Sequence, residues 1–511
     1  MTRRRDFLAG AGASLGMAWL DPEAFLRADE LGRARTISIF HTTDLHGHIL
    51  PSSTYEGLDD VGGLARCATC IREWRRMSPY SLTVDVGDVV QGTATSLRSD
   101  GRLMIDLFNR LGYDAWALGN HDFDWGPEAL AGLLETSQAP VLTANLTRGG
   151  VNPGGFDGAW QNVRPWTIRE VGGFRIALVG LITPGLESWL PPELLDGVVP
   201  IDPRQSLAAA VAEVKAEKPD AIVVIGHMGW RFNDDYANPI RELLREAKDI
   251  DIYLAGHSHQ NKPAWMLHGT LCSQASYHGI HCGRVDLTFD LATRKLVDRR
   301  VYTLLMDDRF AADPLVMQVA QPDLAASAEE LARPVARASR EIPGEGRDSP
   351  LGQLLCESFA AALRRGGSPV DGVFHGTFAT GPLPAGPITV SDCWRVIPYE
   401  NRLVTGELSG RELADVLAED AADKRSDRML WPFAVQRDDK GKPTAILRDG
   451  GPVPADQRFT IAFNSYDAQS GGRRLMRLRE ILSRPGANRR TTSIDTRTAL
   501  IDALLDRREI G

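Results

Sequence analysis

Cysteine is scarce in this sequence, which holds six cysteines among 511 residues. That is too few for a fold built on disulfide bonds, so hydrophobic cores must hold the chain together. Cys67 and Cys70 have the CxxC spacing of a redox site or of half a zinc site, but no second CxxC accompanies them and their flanks predict a helix. We therefore interpret the pair as helical thiols in or near the core.

The sequence also lacks an excess of positive charge and, beyond its N-terminus, any long apolar run. Its formal net charge is −9, and no long basic cluster occurs. These features argue against a nucleic acid polymer as partner, because binding to phosphate backbones depends on clustered Lys and Arg. A transmembrane helix needs about 20 predominantly apolar residues, so no stable membrane span is predicted. The length suffices for two domains with sizeable cores.

Two arginines near the start, Arg4 and Arg5, precede a Phe-Leu pair and a weakly apolar stretch over residues 9–20. This pattern is typical of a twin-arginine signal, which directs folded proteins across a membrane. We therefore predict that residues 1–30 are a signal segment and that the protein is periplasmic or otherwise exported by this route. The alternative is a disordered basic N-terminus. Export in the folded state suits a protein that binds its metal in the cytoplasm.

The remaining chain divides into two parts. From residue 33 to 310, short Val, Ile and Leu runs alternate with helical patterns, which predicts an α/β domain. Residues 311–345 are rich in Ala, Arg and Glu and predict a linker helix without strands, closed by a Pro-Gly-Glu-Gly turn. A second, smaller domain is predicted over residues 346–511.

Several predicted strands run into Asp, Asn or His at their carboxyl ends. The central example is the apolar run at 115–118, which breaks off into a polar stretch that begins Gly119-Asn120-His121-Asp122. The same pattern follows the apolar runs at 37–40, 82–86, 222–225 and 252–255. In open α/β folds ligands bind outside the carboxyl ends of the strands, so we expect these ends to lie side by side.

The strand ends carry enough ligands for two metal ions. Asp44 and His46, one residue apart, can chelate one cation from the same side, and Asp88, after a glycine that permits a tight turn, can bridge two cations. The other candidates supply an amide oxygen or an imidazole nitrogen: Asn120, His227, His257 and His259. Such a set without thiolates favours zinc, manganese or iron, without choosing among them. One Asp or His at a strand end is usually a cap or a satisfied polar group, but the whole set predicts a metal centre.

These motifs resemble the ordered signature of the calcineurin-like metallophosphoesterases: Asp44-Leu45-His46, Gly87-Asp88, Gly119-Asn120-His121-Asp122, Gly226-His227 and Gly256-His257-Ser258-His259. The two-domain length and the later Asn464-Ser465-Tyr466 with Gly471-Gly472 resemble the 5'-nucleotidase family more narrowly. The resemblance covers nearly the whole chain after the signal segment. It implies a four-layer α/β/β/α sandwich domain followed by a smaller α+β domain of the 5'-nucleotidase C-terminal type. It also implies a dinuclear-metal hydrolase that cleaves phosphate monoesters.

The resemblance further implies that one divalent metal is bound by Asp44, His46, Asp88 and His259, and the other by Asp88, Asn120, His227 and His257. It also makes His121 catalytic, with Asp124 behind it. Two cations about 3.5–4 Å apart would lower the pKa of a bridging water and hold a phosphoryl group for attack. His121 can then face the substrate and protonate the leaving oxygen, while Asp124 fixes its tautomer. Asp122 is either a further support of this site or, as we favour, a partner of local backbone N–H groups.

In the second domain the sequence departs from the family pattern. Nucleotidases commonly have an Asn-Gly-Gly-x-Arg stretch whose Arg binds phosphate, but the corresponding residues 374–381 contain no Arg. Nucleotidases also follow Gly-Gly with an Asp for the ribose hydroxyls, whereas this chain has Arg473 and Arg474. We interpret these two either as contacts to a small anionic substrate or as surface charges that begin a helix. Tyr466 stands where the family stacks an aromatic ring on a base, and packing is the alternative.

Two other functions remain open from the sequence. The stretch His375-Gly376-Thr377 without the phosphate Arg, together with twin-arginine export, is also similar to the sulfur-oxidation thiosulfohydrolases. Those enzymes share the two-domain fold and cut sulfate from a carrier-protein cysteine, so this alternative adds a carrier protein as partner. A third possibility is a metal-binding module without catalytic activity, against which the intact ligand set argues.

Overall fold

The computed structural model describes residues 32–378 and 380–511. The signal segment predicted over residues 1–30 lies outside the described residues. Among the helices that are described, none combines the length and the apolar character needed to cross a membrane.

Two β-sheets packed face to face form the centre of the first domain. The first sheet runs in the order β15 (Leu296–Leu305), β14 (His281–Asp290), β1 (Ala34–Thr42), β2 (Ser81–Asp85), β3 (Ala115–Ala117), β4 (Val141–Leu142) and β6 (Val163–Arg164). The second runs in the order β12 (Asn261–Leu267), β13 (Thr270–Ala275), β11 (Ile252–Ala255), β10 (Ala221–His227), β8 (Phe174–Ile182) and β7 (Trp166–Val171). A separate ribbon pairs β5 (Leu146–Arg148) with β9 (Val198–Pro200). The pairs β1–β2, β2–β3 and β10–β11 are parallel, so the strands in each pair end at the same edge of their sheet.

The central strands of the sheets are buried on both faces, because apolar side chains alternate between the two sides of the strands. In β8, Ile176 and Leu178 pack in the layer between the sheets, whereas Ala177 and Val179 pack against helices on the outer face. This alternation between two apolar environments explains why the strands read as continuous Val, Ile and Leu runs. The first domain is a four-layer α/β/β/α sandwich, which confirms the predicted fold class.

Helices cover the two outer faces of this sandwich. Helices Leu64–Met77, Arg102–Leu111 and Pro127–Thr136 pack on the first sheet, and helices Pro203–Ala216 and Ile240–Glu246 pack on the second. The shorter helical segments are Ala94–Leu97, Asn120–Phe123, Gly158–Asn162, Leu186–Ser188 and Pro192–Leu195. Cys67 and Cys70 are buried free thiols on the first of these helices, in agreement with their interpretation as core residues.

The second domain is built on a mixed sheet in the order β20 (Met429–Trp431), β17 (Gly372–His375), β24 (Arg458–Asn464), β19 (Arg402–Ser409) and β25 (Arg490–Asp495). Helices Pro350–Arg365 and Thr496–Arg507 pack on one face, and helices Gly410–Asp420 and Met476–Ser483 pack on the other. The short elements are β21 (Ala434–Arg437), β22 (Pro443–Arg448), β23 (Gly451–Pro452), and the helices Val390–Val396, Ser465–Ala468 and Pro485–Ala487.

The segment between the domains contains the helix Pro314–Ala332, whose N-terminus is capped by Asp313 through the backbone N–H groups of Leu315 and Val316. The prediction of no strand over residues 311–345 is wrong, because β16 (Pro334–Ala338) follows this helix. It lies between β18 (Gly386–Thr389) and β26 (Glu509–Ile510), and both partners are distant in sequence. Pairing with distant strands overrides the weak strand propensity of a Pro-Val-Ala-Arg-Ala sequence. The domain limits at 310 and 346 stay a prediction.

Candidate metal centre

The candidate ligands lie just beyond the ends of strands from both sheets. In the first sheet they follow β1, β2 and β3, and in the second they end β10 or follow β11. Several of them occupy left-handed backbone conformations, with positive φ at Asp44 (50°), His46 (47°), Asp88 (55°), His257 (66°) and His259 (55°). A non-glycine residue in this region costs of order 1 kcal/mol or more, and such strain concentrates at functional sites. The chain thus turns sharply at the strand ends and directs these side chains toward each other.

A first cluster consists of side chains whose ligand atoms lie within 4.8 Å of one another: Asp44, His46, Asp88 and His259. His46 Nε2 is 3.1 Å from His259 Nε2, which in turn is 3.4 Å from Asp44 Oδ1. Two imidazole nitrogens bound to one tetrahedral zinc ion, each at about 2.0–2.1 Å, are roughly 3.3 Å apart. The facing nitrogens therefore fit two ligands of one cation.

A second cluster shares Asp88 with the first and adds His227 and His257. His227 Nε2 lies 3.0 Å from Asp88 Oδ2, yet within the described part of the chain it makes no hydrogen bond of acceptable geometry. Asn120 Oδ1 is also buried without a hydrogen-bond partner among the described residues. Buried polar atoms without partners are rare and costly, and here they have the chemistry of metal ligands. The residues present fit a second cation, with Asp88 between the two positions.

The electrostatics of the clusters agree with cation binding. Burial lowers the pKa of both His46 and His257 to about 3, so each imidazole is neutral and offers a lone pair. Burial alone would raise the pKa of the Asp88 carboxyl, but the nearby imidazoles of His227 and His121 hold it well below its usual range. Asp88 is thus an ionised carboxylate among imidazoles, and a divalent cation bound there would take the place of the proton that Asp88 otherwise favours on His227.

His121 and Asp124 form a hydrogen-bonded pair beside these clusters. His121 Nδ1 lies 2.7 Å from Asp124 Oδ2, and the backbone N–H of His121 donates to Asp88 Oδ1 at 2.7 Å. Burial lowers the pKa of His121, but the carboxylates of Asp124 and Asp88 more than offset this and raise it to about 10. Its side chain belongs to neither cluster. The Nδ1–H bond to Asp124 leaves Nε2 as the atom for proton transfer.

Asp122 faces the backbone. Its two carboxylate oxygens accept hydrogen bonds from the N–H groups of Gly119 (2.8 Å), Val89 (2.9 Å) and Asp88 (3.1 Å). Asp122 thus ties the loop after β3 to the loop after β2, as the favoured interpretation of this residue expects.

The structure separates the two arginines of the second domain. Arg473 reaches the first domain, where its guanidinium carbon lies 4.1 Å from the ring centre of Tyr236 and its Nε lies 3.4 Å from Ser188 Oγ. Arg474 is half-exposed and lies beside a carboxylate of its own domain, with 3.7 Å between its Nε and Asp423 Oδ2. Of the two, it is Arg473 that contacts the first domain within the described residues.

Aromatic rings connect Arg473 to the metal centre. Trp189 lies between Tyr236 and the candidate ligand His257, with ring centres 5.7 and 5.2 Å apart. In the second domain, the partly buried Tyr466 meets Phe378 edge to face, with their ring centres 6.4 Å apart. Tyr466 thus packs against Phe378, and part of its side chain remains exposed to solvent.

Sequence reasoning missed several residues around the site, because none of them ends a strand. Tyr399 stacks over His121, with ring centres 5.7 Å apart. Its neighbour Glu400 accepts hydrogen bonds from Gln91 Nε2 (3.0 Å) and Trp125 Nε1 (3.2 Å) of the first domain. An aromatic and an acidic residue in a loop give no signal in a single sequence, since such residues are common on surfaces.

Comparison with known proteins agrees with this architecture. Residues 37–261 match the calcineurin-like phosphoesterase family model, and residues 325–479 match the model of the 5'-nucleotidase C-terminal domain. Protein UshA of Yersinia enterocolitica is 24% identical over 519 residues, which cover 91% of each chain. The chain spans only 37%, 27% and 37% of the length of three further curated relatives.

Solved structures show the same fold. A 5'-nucleotidase precursor from Thermus thermophilus is 25% identical, with a TM-score of 0.71 over 93% of this chain and 97% of that one. A sulfate thiohydrolase from the same organism is 18% identical, with a TM-score of 0.65 over 93% of this chain and 94% of that one. At this identity, the second likeness concerns the fold alone.

Proposed function

The chain belongs to the 5'-nucleotidase family of calcineurin-like metallophosphoesterases, and from this premise we propose that it is a dinuclear-metal hydrolase of phosphate monoesters. The observation that carries the proposal is the pair of ligand clusters that share Asp88, with the His121–Asp124 pair beside them. A single structural metal would need neither a shared carboxylate nor an adjacent His–Asp pair.

One cation is proposed to bind Asp44, His46, Asp88 and His259, and the other to bind Asp88, Asn120, His227 and His257. When bound, two divalent cations supply a water of lowered pKa and positive charge for the phosphoryl oxygens. Asp88, held at one oxygen by the N–H of His121, keeps its other oxygen for the cations. The ring nitrogens on the far side of His46 and His227 bind the backbone carbonyls of Gln91 and Val86, which fixes both imidazoles in the metal-binding tautomer.

His121 is proposed to act on the substrate. With Nδ1–H donated to Asp124, the Nε2 atom of the protonated ring can donate a proton to the oxygen that leaves phosphorus. Asp124 holds the ring in this tautomer and stabilises its positive charge, as a carboxylate does for catalytic histidines elsewhere. Tyr399 stacks on the ring and limits its rotation. The His121–Asp124 pair would thus act on the substrate without serving as a metal ligand.

The substrate is proposed to be a small phosphate ester held between the domains. Arg473, which contacts Tyr236 and Ser188 of the first domain, suits an anionic group, because a guanidinium binds phosphate through two parallel hydrogen bonds. The turn after Gly471 and Gly472 has no carboxylate for ribose hydroxyls. Tyr466 can stack on a base, and stacking on an aromatic ring does not by itself select one base over another. We therefore expect poor discrimination between nucleotides and simpler esters.

The thiosulfohydrolase alternative gains no support from the stretch that suggested it. His375 is buried, and its Nδ1 is bonded to Asn464 Nδ2 at 2.9 Å. Thr377 Oγ1 donates to the Gly344 carbonyl at 2.8 Å. Both side chains therefore face the interior of the second domain and are not available to a carrier-protein conjugate.

Export by the twin-arginine route is proposed from the sequence of the N-terminal segment alone. Replacing Arg4 and Arg5 by Lys should retain the protein in the cytoplasm, which cell fractionation would detect. Appearance of the folded variant in the periplasm at the normal level would refute the proposed route.

The function is tested with the zinc-, manganese- and iron-loaded full chain. A panel of nucleoside 5'-monophosphates, sugar phosphates, an aryl phosphate and thiosulfonates is assayed for release of phosphate or sulfate. We expect phosphate release from both nucleotides and simpler esters. Sulfate release from thiosulfonates without phosphate release would favour the alternative, and inactivity with every metal would favour a non-catalytic module.

A further inference from the structure

His259 is the partly exposed ligand of the first cluster. Its side chain is 25% exposed, whereas those of Asp44 and Asp88 are almost fully buried. Its Nε2 faces His46 and Asp44 in the first cluster. Its other ring nitrogen, Nδ1, lies 3.0 Å from the hydroxyl oxygen of Tyr55. The outer ring nitrogen of His259 is thus bonded to a side chain, whereas those of His46 and His227 are bonded to backbone carbonyls.

Tyr55 is placed by its own loop. Ser52 and Val61 pair across this loop through two backbone hydrogen bonds of 2.8 and 3.0 Å, which defines a hairpin over residues 52–61. The backbone N–H of Tyr55 donates to the hydroxyl of Tyr277 at 2.8 Å, and the two rings stack with centres 4.3 Å apart. Tyr277 is buried, while Tyr55 remains 67% exposed. The buried ring therefore serves as a platform that directs the exposed Tyr55 toward His259.

We propose that Tyr55 is a positioning residue for His259, and so for the metal of the first cluster; this rests on the proposed function. If Nε2 binds the cation, the proton of His259 must be on Nδ1, and this N–H then donates a hydrogen bond to the Tyr55 hydroxyl oxygen. This hydrogen bond fixes the tautomer and the ring orientation, as outer-sphere partners of metal-binding histidines commonly do. A backbone carbonyl would do the same at a rigid position, whereas here the acceptor is carried by an exposed hairpin.

Removing the Tyr55 hydroxyl should affect the affinities of the two metal sites unequally. Among the candidate ligands, the Tyr55 hydroxyl bonds to His259, which belongs to the first cluster and not to the second. Loss of an outer-sphere partner typically lowers metal affinity by about 10–100-fold. The first site should therefore lose affinity when the hydroxyl is removed, while the second site keeps its own.

The test uses the full chain freed of metal and titrated with Co²⁺, whose visible absorption reports coordination, in competition with a chelator. Tyr55→Phe removes the hydroxyl and keeps the ring that stacks on Tyr277. We expect one of two Co²⁺ affinities to fall by about 10–100-fold, and the other to stay within about twofold of wild type. The Co²⁺ spectrum of the weakened site should also change. Tyr80→Phe, a partly exposed tyrosine beside Arg35, is the matched control and should change neither affinity.

Two unchanged Co²⁺ affinities in Tyr55→Phe would overturn the proposal while leaving the proposed function intact. An equal loss at both sites, with a lower melting temperature of the metal-free protein, would also overturn it, since that result indicates a general structural role. A wild-type chain that binds fewer than two Co²⁺ ions would refute the proposed function, and the role of Tyr55 with it.

Discussion

Replacing His121 by Ala should separate catalysis from metal binding. The contact from His121 to Asp88 is made by the backbone N–H, at 2.7 Å, and alanine retains that group. The imidazole itself lies outside both clusters, so its removal takes away no ligand. We expect His121→Ala to bind two metals per chain and to lose about 10²–10⁴-fold in kcat, the usual contribution of a general acid.

The contribution of Asp124 is smaller and follows from one hydrogen bond. A net hydrogen bond contributes about 0.5–1.5 kcal/mol, and one to a charged group about 1.5–3 kcal/mol. Asp124→Asn keeps an oxygen that accepts from His121 Nδ1, and it loses only the charge. The difference between the midpoints of these ranges, about 1.25 kcal/mol, corresponds to a decrease in kcat of about eightfold.

The pH dependence gives an independent readout of the same pair. The folded-state pKa of His121 is raised above its ordinary value, so the protonated acid is present at lower pH and is lost as pH rises through the folded pKa. Removing the charge of Asp124 lowers that pKa. The alkaline limb of the kcat profile should therefore shift to lower pH in Asp124→Asn. Bound cations also lower the pKa of His121, so we predict the direction in which the alkaline limb shifts and not the pH at which it lies.

The assay combines elemental analysis with steady-state kinetics on an aryl phosphate and on AMP. Loss of metal from His121→Ala would make His121 a ligand and refute the assignment. Unchanged kcat and an unchanged alkaline limb in Asp124→Asn would instead refute the role proposed for Asp124.

Three further predictions follow from other parts of the structure. Asp88→Ala removes the carboxylate common to both clusters, so elemental analysis should find less than one metal per chain; two bound metals would contradict its bridging role. Arg473→Ala should raise KM for AMP and for an aryl phosphate, because Arg473 contacts the first domain. Arg474→Ala should change neither KM, because the Arg474 side chain is half-exposed beside Asp423. Equal effects of the two variants would contradict the different positions of the two arginines. Arg428→Met leaves the buried Asp467 without the two guanidinium hydrogen bonds of 2.9 and 2.7 Å. Urea unfolding should therefore show that the free energy of unfolding falls by about 3–5 kcal/mol. The control Arg474→Ala should lower it by about 0–1 kcal/mol. A loss below 1 kcal/mol for Arg428→Met would contradict this.

Much of the first domain could be predicted from the sequence because apolar strand runs and polar residues follow one another there in a recognisable order. Strands buried on both faces appear as runs such as Ile222-Val223-Val224-Ile225, and the polar residues that follow mark their carboxyl ends. The rule that ligands gather at those ends then leads to candidate metal residues without any knowledge of contacts. The strand β16 was missed because its short sequence has no such pattern, and pairing with β18 and β26 decides its conformation.

The residue types and their order along the chain were thus enough to indicate the fold class, the two domains and the kind of metal centre. Only the tertiary structure decides which atoms meet. It places Asp88 between two groups of histidines, directs Arg473 across the domain boundary while Arg474 lies beside Asp423, and brings the Tyr55 hydroxyl to His259. Tyr55 and His259 are separated by 204 positions in sequence. Local patterns report periodicity and propensity, whereas a contact at such a separation depends on the packing of every element between the two residues.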